Sequence, residues 1–174
     1  MLSLSEIQAE MQQAQKACQR GVFDLAAPAK NALPLLDKLE KQLQTYLDIH
    51  PDDATALKYM SYIQCHLLHY EKALPFLEKS CRLSKDRKDQ THLATLRELL
   101  ARLESLALRP EQIIALIDYV ENALQTDDCD HSLRLTEKWL KAHVAPDIHE
   151  TALAGLQDAG GYCDCEVIFN VTND

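Results

Sequence analysis

The sequence predicts an all-α protein that closes on one short strand. Three observations carry this. Only four glycines and six prolines occur in 174 residues, too few for the turns of a β-sandwich or barrel. Leu, Ala, Glu, Gln and Lys, all good helix formers, dominate the rest. Apolar residues also recur at intervals of three and four, the spacing that lines one face of a helix. An apolar content of 47% is that of a globular protein, and the length suits one domain or two small ones.

Residues 3–20 read as a first, Gln-rich amphipathic helix ending near Gly21. Ala26 to Asn31, with Pro28 inside, is a break. A stronger helix follows from Pro34 to His50; proline suits a first turn, and Leu36, Leu39, Leu43, Tyr46 and Leu47 share one face. Pro51-Asp52-Asp53 stops it and starts the next.

Within residues 54–87, Leu57, Met60 and Ser61 begin a pattern that Tyr70-Glu71-Lys72-Ala73, Leu77, Ser80 and Leu83 continue. The preceding Leu39, Leu43, Tyr46, Ile49 and Pro51 fall in the same register. On these residues the stretch 36–87 resembles about one and a half tetratricopeptide repeats, whose period is about 34 residues. Leu68 replaces the usual turn glycine, Pro75 interrupts the second helix early, and Lys85 stands at the closing proline. The resemblance implies helical hairpins that bind a peptide on the face carrying Thr55, Lys58, Tyr62 and Cys65. Lys58 and Tyr62 are the partner-binding pair it singles out, a charge beside an aromatic platform; a solvated helix face is the alternative.

Residues 89–105 form a capping helix that buries Leu93, Leu96, Leu99, Leu100 and Leu103. Pro110 opens another at a domain boundary, dividing a tetratricopeptide-like region, 1–109, from a C-terminal domain, 110–174. Ile113, Ile114, Leu116, Ile117, Val120 and Leu124 give that helix a broad apolar stripe. Asp127 to Asp130 is a polar turn, and Asp130 or Asp128 can cap a helix running to about His143. A further helix, 147–158, ends at Gly160-Gly161. Cys165 to Val171 alternates and is rich in Val, Ile and Phe, which reads as the terminal strand.

Charge divides the chain. Residues 1–109 hold 15 Lys/Arg against 14 Asp/Glu, whereas 110–174 hold 3 against 13, a balance of −10. Such a field repels phosphate backbones and draws cations or basic partners, so nucleic acid is not the expected ligand and a basic protein or peptide is. The first residues lack the basic and apolar pattern of a secretory signal, and no run is long enough to span a membrane. The expected location is cytoplasmic, with six reduced cysteines. The cluster Arg82, Lys85, Arg87 and Lys88 reads as a solvated turn or as a dock for acidic sequence.

The chemistry concentrates in two short clusters, Cys129-Asp130-His131 and Cys163-Asp164-Cys165. Three thiols and one imidazole suit a tetrahedral zinc ion, with Cys129, His131, Cys163 and Cys165 as ligands. In an extended segment Cys163 and Cys165 project from one face, Asp164 and Glu166 from the other. A helix start near Cys129 lowers that thiol's pKa, while Asp127, Asp128 and Asp130 raise it. The cysteines can equally pack as small apolar residues, or form a thiol-dependent redox or nucleophilic site of Cys163, Cys165 and His131.

The runs Cys129-Asp130-His131-Ser132-Leu133-Arg134 and Gly160-Gly161-Tyr162-Cys163-Asp164-Cys165-Glu166-Val167 resemble an uncharacterised bacterial domain family, domain of unknown function 2695. Ser132 stands where that family has Thr. The resemblance covers residues 111–171 and implies no activity. Elsewhere, Cys65, His66 and His69 lie close enough on one helix to share a ligand, but read as structural. His149-Glu150 lacks the second histidine of a zinc-protease helix, and the scarcity of glycine argues against phosphate loops and serine-nucleophile elbows. The whole points to a non-enzymatic binding protein with a zinc staple.

Overall fold

A computed structural model describes residues 3–126 and 128–172; Asp127, one of the carboxylates singled out above, lies outside the described residues. The described residues form helices and no strand: α1 (Leu4–Cys18), α2 (Leu33–Ile49), α3 (Ala54–His66), α4 (Tyr70–Ser84), α5 (Arg87–Leu106), α6 (Pro110–Leu124), α7 (Arg134–His143), a 3-10 turn (Pro146–Ile148), α8 (His149–Asp158) and α9 (Asp164–Thr172). The chain divides into two compact units at Leu100/Ala101, inside α5.

In the first unit, Ser3 and Glu6 close a capping box on α1, which buries Ile7, Met11, Ala14 and Cys18 at helical spacing. They pack with Leu36, Leu39, Leu43 and Leu47 of α2 and Leu57, Met60 and Ile63 of α3. Asp53 caps α3 by accepting from Ala56 N–H at 2.9 Å. α3 and α4 make an antiparallel hairpin, since Ser80 near the end of α4 donates to the Ala54 carbonyl at the start of α3 (2.8 Å). Leu68, in the turn, takes the left-handed φ of 62° for which glycine is usual. Pro75 does not interrupt the second helix, contrary to the sequence expectation: α4 runs through it. A proline one and a half turns in forfeits one backbone hydrogen bond, and burial of Ala73 and Leu77 on either side holds the helix.

Arg20 secures the segment between α1 and α2. Its guanidinium donates to the carbonyls of Gly21, Val22, Ala26 and Cys65 and to the Tyr70 hydroxyl. Tyr70 in turn donates to the Asp24 carbonyl at 3.0 Å.

The second unit is built from α6 to α9 and the end of α5, around Ile113, Leu116, Val120, Trp139, Leu140, Leu156, Val167 and Val171. The terminal strand expected over 165–171 is instead α9. Asp164, Val167 and Val171 are its buried residues, spaced three and four apart, while Phe169 between the two valines is 65% exposed. β-branched residues favour strands only weakly, and the chance to bury one helical face decides here.

Candidate metal centre

The Gly-Gly-Tyr-Cys-Asp-Cys-Glu-Val run is a sequence of local devices. Gly160 N–H bonds the Gln157 carbonyl and Gly161 N–H the Leu156 carbonyl, both at 2.8 Å, the double bond of a Schellman cap on α8. Gly160 takes a φ of 88° to make it. A Cβ on Gly161 would stand 2.9 Å from Val167 Cγ2, so the second glycine lets the turn approach α9. Cys163 precedes α9 and accepts from Val167 N–H at 3.0 Å; Glu166 accepts from Tyr162 N–H at 3.0 Å.

Asp164 joins this run to the first one. Its N–H donates to the Ser132 carbonyl at 2.9 Å. Its carboxylate, 2% exposed, accepts from the N–H groups of Leu135 and Thr136 (2.9 Å each) and from the Thr136 hydroxyl (2.8 Å). Three of the donors at the start of α7 are thereby satisfied from 28 or 29 residues away in sequence. Neither Asp128 nor Asp130 makes that cap. Asp130 instead accepts from Ser132 N–H (3.1 Å), Ser132 hydroxyl (2.6 Å) and Arg134 Nε (3.1 Å), and these bonds hold its carboxyl below the usual range.

With the two runs stitched, the sulfurs of Cys129, Cys163 and Cys165 lie within 4.8 Å of one another. All six cysteines are free thiols, and the sulfurs of Cys163 and Cys165 are 3.1 Å apart. Cys163 is buried; Cys129 and Cys165 are half-buried. Backbone N–H groups of Cys165 and His131 bond the Cys129 sulfur and lower its pKa. Hydrogen bonds with Cys163, and then Cys129, push Cys165 up to about 12. The same cluster therefore lowers the pKa of one thiol, Cys129, and raises that of its neighbour Cys165.

A family model described as "Protein of unknown function (DUF2695)" matches residues 116–170. Uncharacterized proteins of Mycobacterium bovis and Mycobacterium tuberculosis are each 40% identical to this chain over 74 residues, 42% of this chain and 73% of each relative. The chain belongs to the DUF2695 family. No solved structure matches it. In DUF2695 terms, the two runs that carry the resemblance are the two halves of one thiol cluster.

His131, expected as the fourth ligand, sits differently. Its φ of 60° presents its backbone N–H to Cys129, while its side chain is exposed and its imidazole is not one of the groups within 4.8 Å of the sulfurs. The roles of Asp164 and of these backbone N–H groups were missed from sequence; the spacing Asp164, Val167, Val171 was the available signal. Cys65 and His66 are buried and His69 bonds Gln64, with no metal-holding group among them in the described residues.

Lys58 and Tyr62 both meet α5. Lys58 Nζ pairs with Asp89 at 3.0 Å, and Asp89 is 2% exposed. Tyr62, 8% exposed, bonds His92 Nδ1 at 2.5 Å, and Phe23 lies edge-on to the Tyr62 ring. Of the other residues assigned to that face, Thr55 is half-buried and Cys65 buried. Arg82, Lys85, Arg87 and Lys88 are exposed. No helix among the described residues is long and apolar enough to cross a membrane.

Proposed function

We propose that residues 110–174 form a zinc-stapled module, and that the protein acts by binding a basic protein or peptide rather than by catalysis. The convergence of the Cys129, Cys163 and Cys165 sulfurs within 4.8 Å supports the metal. Zinc–thiolate bonds of about 2.3 Å set sulfurs about 3.8 Å apart on one tetrahedral ion, a spacing small side-chain rotations reach from here. Two backbone N–H groups already bond one sulfur, the kind of outer support that holds thiolate ligands in place. A dication would displace the thiol protons of its ligands and tie the turn before α7 to α9. The surplus of acidic residues after residue 109 supports the basic partner.

Metal-bound sulfurs are withdrawn from thiol chemistry, so a metal count separates this reading from a thiol-dependent activity of Cys163, Cys165 and His131. The test is metal content per chain, by mass spectrometry, on untagged protein purified without chelator. About one zinc per chain, released by chelator together with C-terminal helix signal, is the expected result. Metal-free protein in which Cys129 and Cys165 alkylate as ordinary free cysteines would overturn it.

A further inference from the structure

Resting on that metal reading, we propose that the centre is a three-thiolate site whose fourth coordination position is open to an external, neutral donor. Three carboxylates beside the cysteines in sequence are committed elsewhere. Asp130 is held by Ser132 and Arg134, Asp164 caps α7, and Glu166 holds the Tyr162 N–H. The other two imidazoles of the second unit bond backbone carbonyls, His143 that of Trp139 and His149 that of Val144, both at 2.9 Å. His131 contributes its backbone to Cys129, and its ring stays in solvent. Among the described residues, no His, Asp or Glu atom joins the three sulfurs.

The cluster also faces outward. Cys129 and Cys165 are half-buried, and Tyr162, beside Cys163, is 66% exposed. An ion held by three sulfurs from inside therefore presents its remaining position to solvent, as sites with three protein ligands do. Charge then selects the ligand. Three thiolates around a dication leave the centre at −1, and Asp128 and Asp130 are exposed close by in sequence. Anionic donors are repelled, and a bound water keeps a higher pKa than on an all-histidine zinc. Water in the isolated chain, replaceable by a neutral nitrogen base such as the imidazole of a partner's histidine, fits this position.

The experiment is to load the full chain anaerobically with cobalt(II) and follow its visible bands while titrating imidazole, then azide. A thiolate-to-cobalt band with imidazole shifting the visible bands at one site is expected, azide acting at least about tenfold more weakly because of the site's negative charge. In His131→Ala, which keeps the backbone N–H that supports Cys129 and removes only the exposed ring, the imidazole midpoint should stay within about twofold of the parent's. Cobalt uptake with bands that ignore imidazole, or that change in His131→Ala alone, would overturn the open position and leave the metal reading standing. Azide binding as tightly as imidazole would overturn the selection for neutral donors. No cobalt uptake would overturn both readings.

Discussion

The Asp164 carboxylate accepts both the backbone N–H and the hydroxyl of Thr136, at 2.9 and 2.8 Å, from a position 28 residues later in the chain. One residue thus serves as the first residue of α9, the cap of α7 and the middle of the Cys163-Asp164-Cys165 cluster. Anything that draws Asp164 from α7 also draws two sulfurs away from Cys129.

Asp164→Ala leaves the first N–H groups of α7 buried without acceptors and should cost about 2–4 kcal/mol of unfolding free energy in urea, from the cap and the orphaned donors together. Asp164→Asn keeps one acceptor oxygen and should lose about half as much. Equal losses for the two would show that the charge, and not the number of acceptors, holds the cap.

Gly155 of α8 has no room for a side chain. A Cβ there would stand 2.9 Å from Leu106 Cα and closer still to the Ser105 carbonyl oxygen, both backbone atoms of α5. Gly155→Ala should therefore lower stability by about 3 kcal/mol, although alanine is the better helix former. A thermal midpoint equal to or above the parent's would refute the close approach.

Lys58→Met would strand the Asp89 carboxylate, which is 2% exposed and otherwise accepts from Ser84 at 3.1 Å. The cost should be about 2 kcal/mol, below that of a fully buried pair because Lys58 keeps a quarter of its side chain in solvent. In the Lys58→Met background, Asp89→Asn should recover part of that loss. A double-mutant cycle with no coupling would show that the pair does not hold α5 on α3.

His66 is 1% exposed, and neither ring nitrogen has a hydrogen-bond partner among the described residues. Burial, and then the Arg20 guanidinium, lower its pKa from 6.5 to about 4, against an opposing pull from Asp24. The unfolded chain therefore binds a proton that the folded chain refuses between pH 6.5 and about 4. This contribution is complete above pH 6.5 and is lost as pH falls through that window, by up to about 3 kcal/mol. His66→Leu should be more stable than the parent by about 1 kcal/mol at pH 7, since no unpaired nitrogen remains buried. Urea midpoints from pH 7 to 4.5 should fall more steeply for the parent than for His66→Leu; parallel slopes would refute the buried neutral imidazole.

Most helices were legible in the sequence because their signal is local. Leu36, Leu39, Leu43 and Leu47 mark the buried face of α2, and Leu93, Leu96, Leu99 and Leu103 that of α5, by spacing alone. Pro110 at the start of α6 and Gly160 after the end of α8 mark boundaries through backbone preferences that need no tertiary contact.

The cysteines that meet were likewise visible as residue types. Alternation from Cys165 to Val171 nevertheless fitted strand and helix alike, because Val167 and Val171 are four apart as well as two steps of two. Burial against the second unit's core selected the helix. Where the His131 ring points, which carboxylate caps α7, and that α5 rather than solvent meets Lys58 and Tyr62 are pairings between distant positions. Short-range propensity encodes a residue's own backbone, and only packing decides which of several chemically adequate partners it meets.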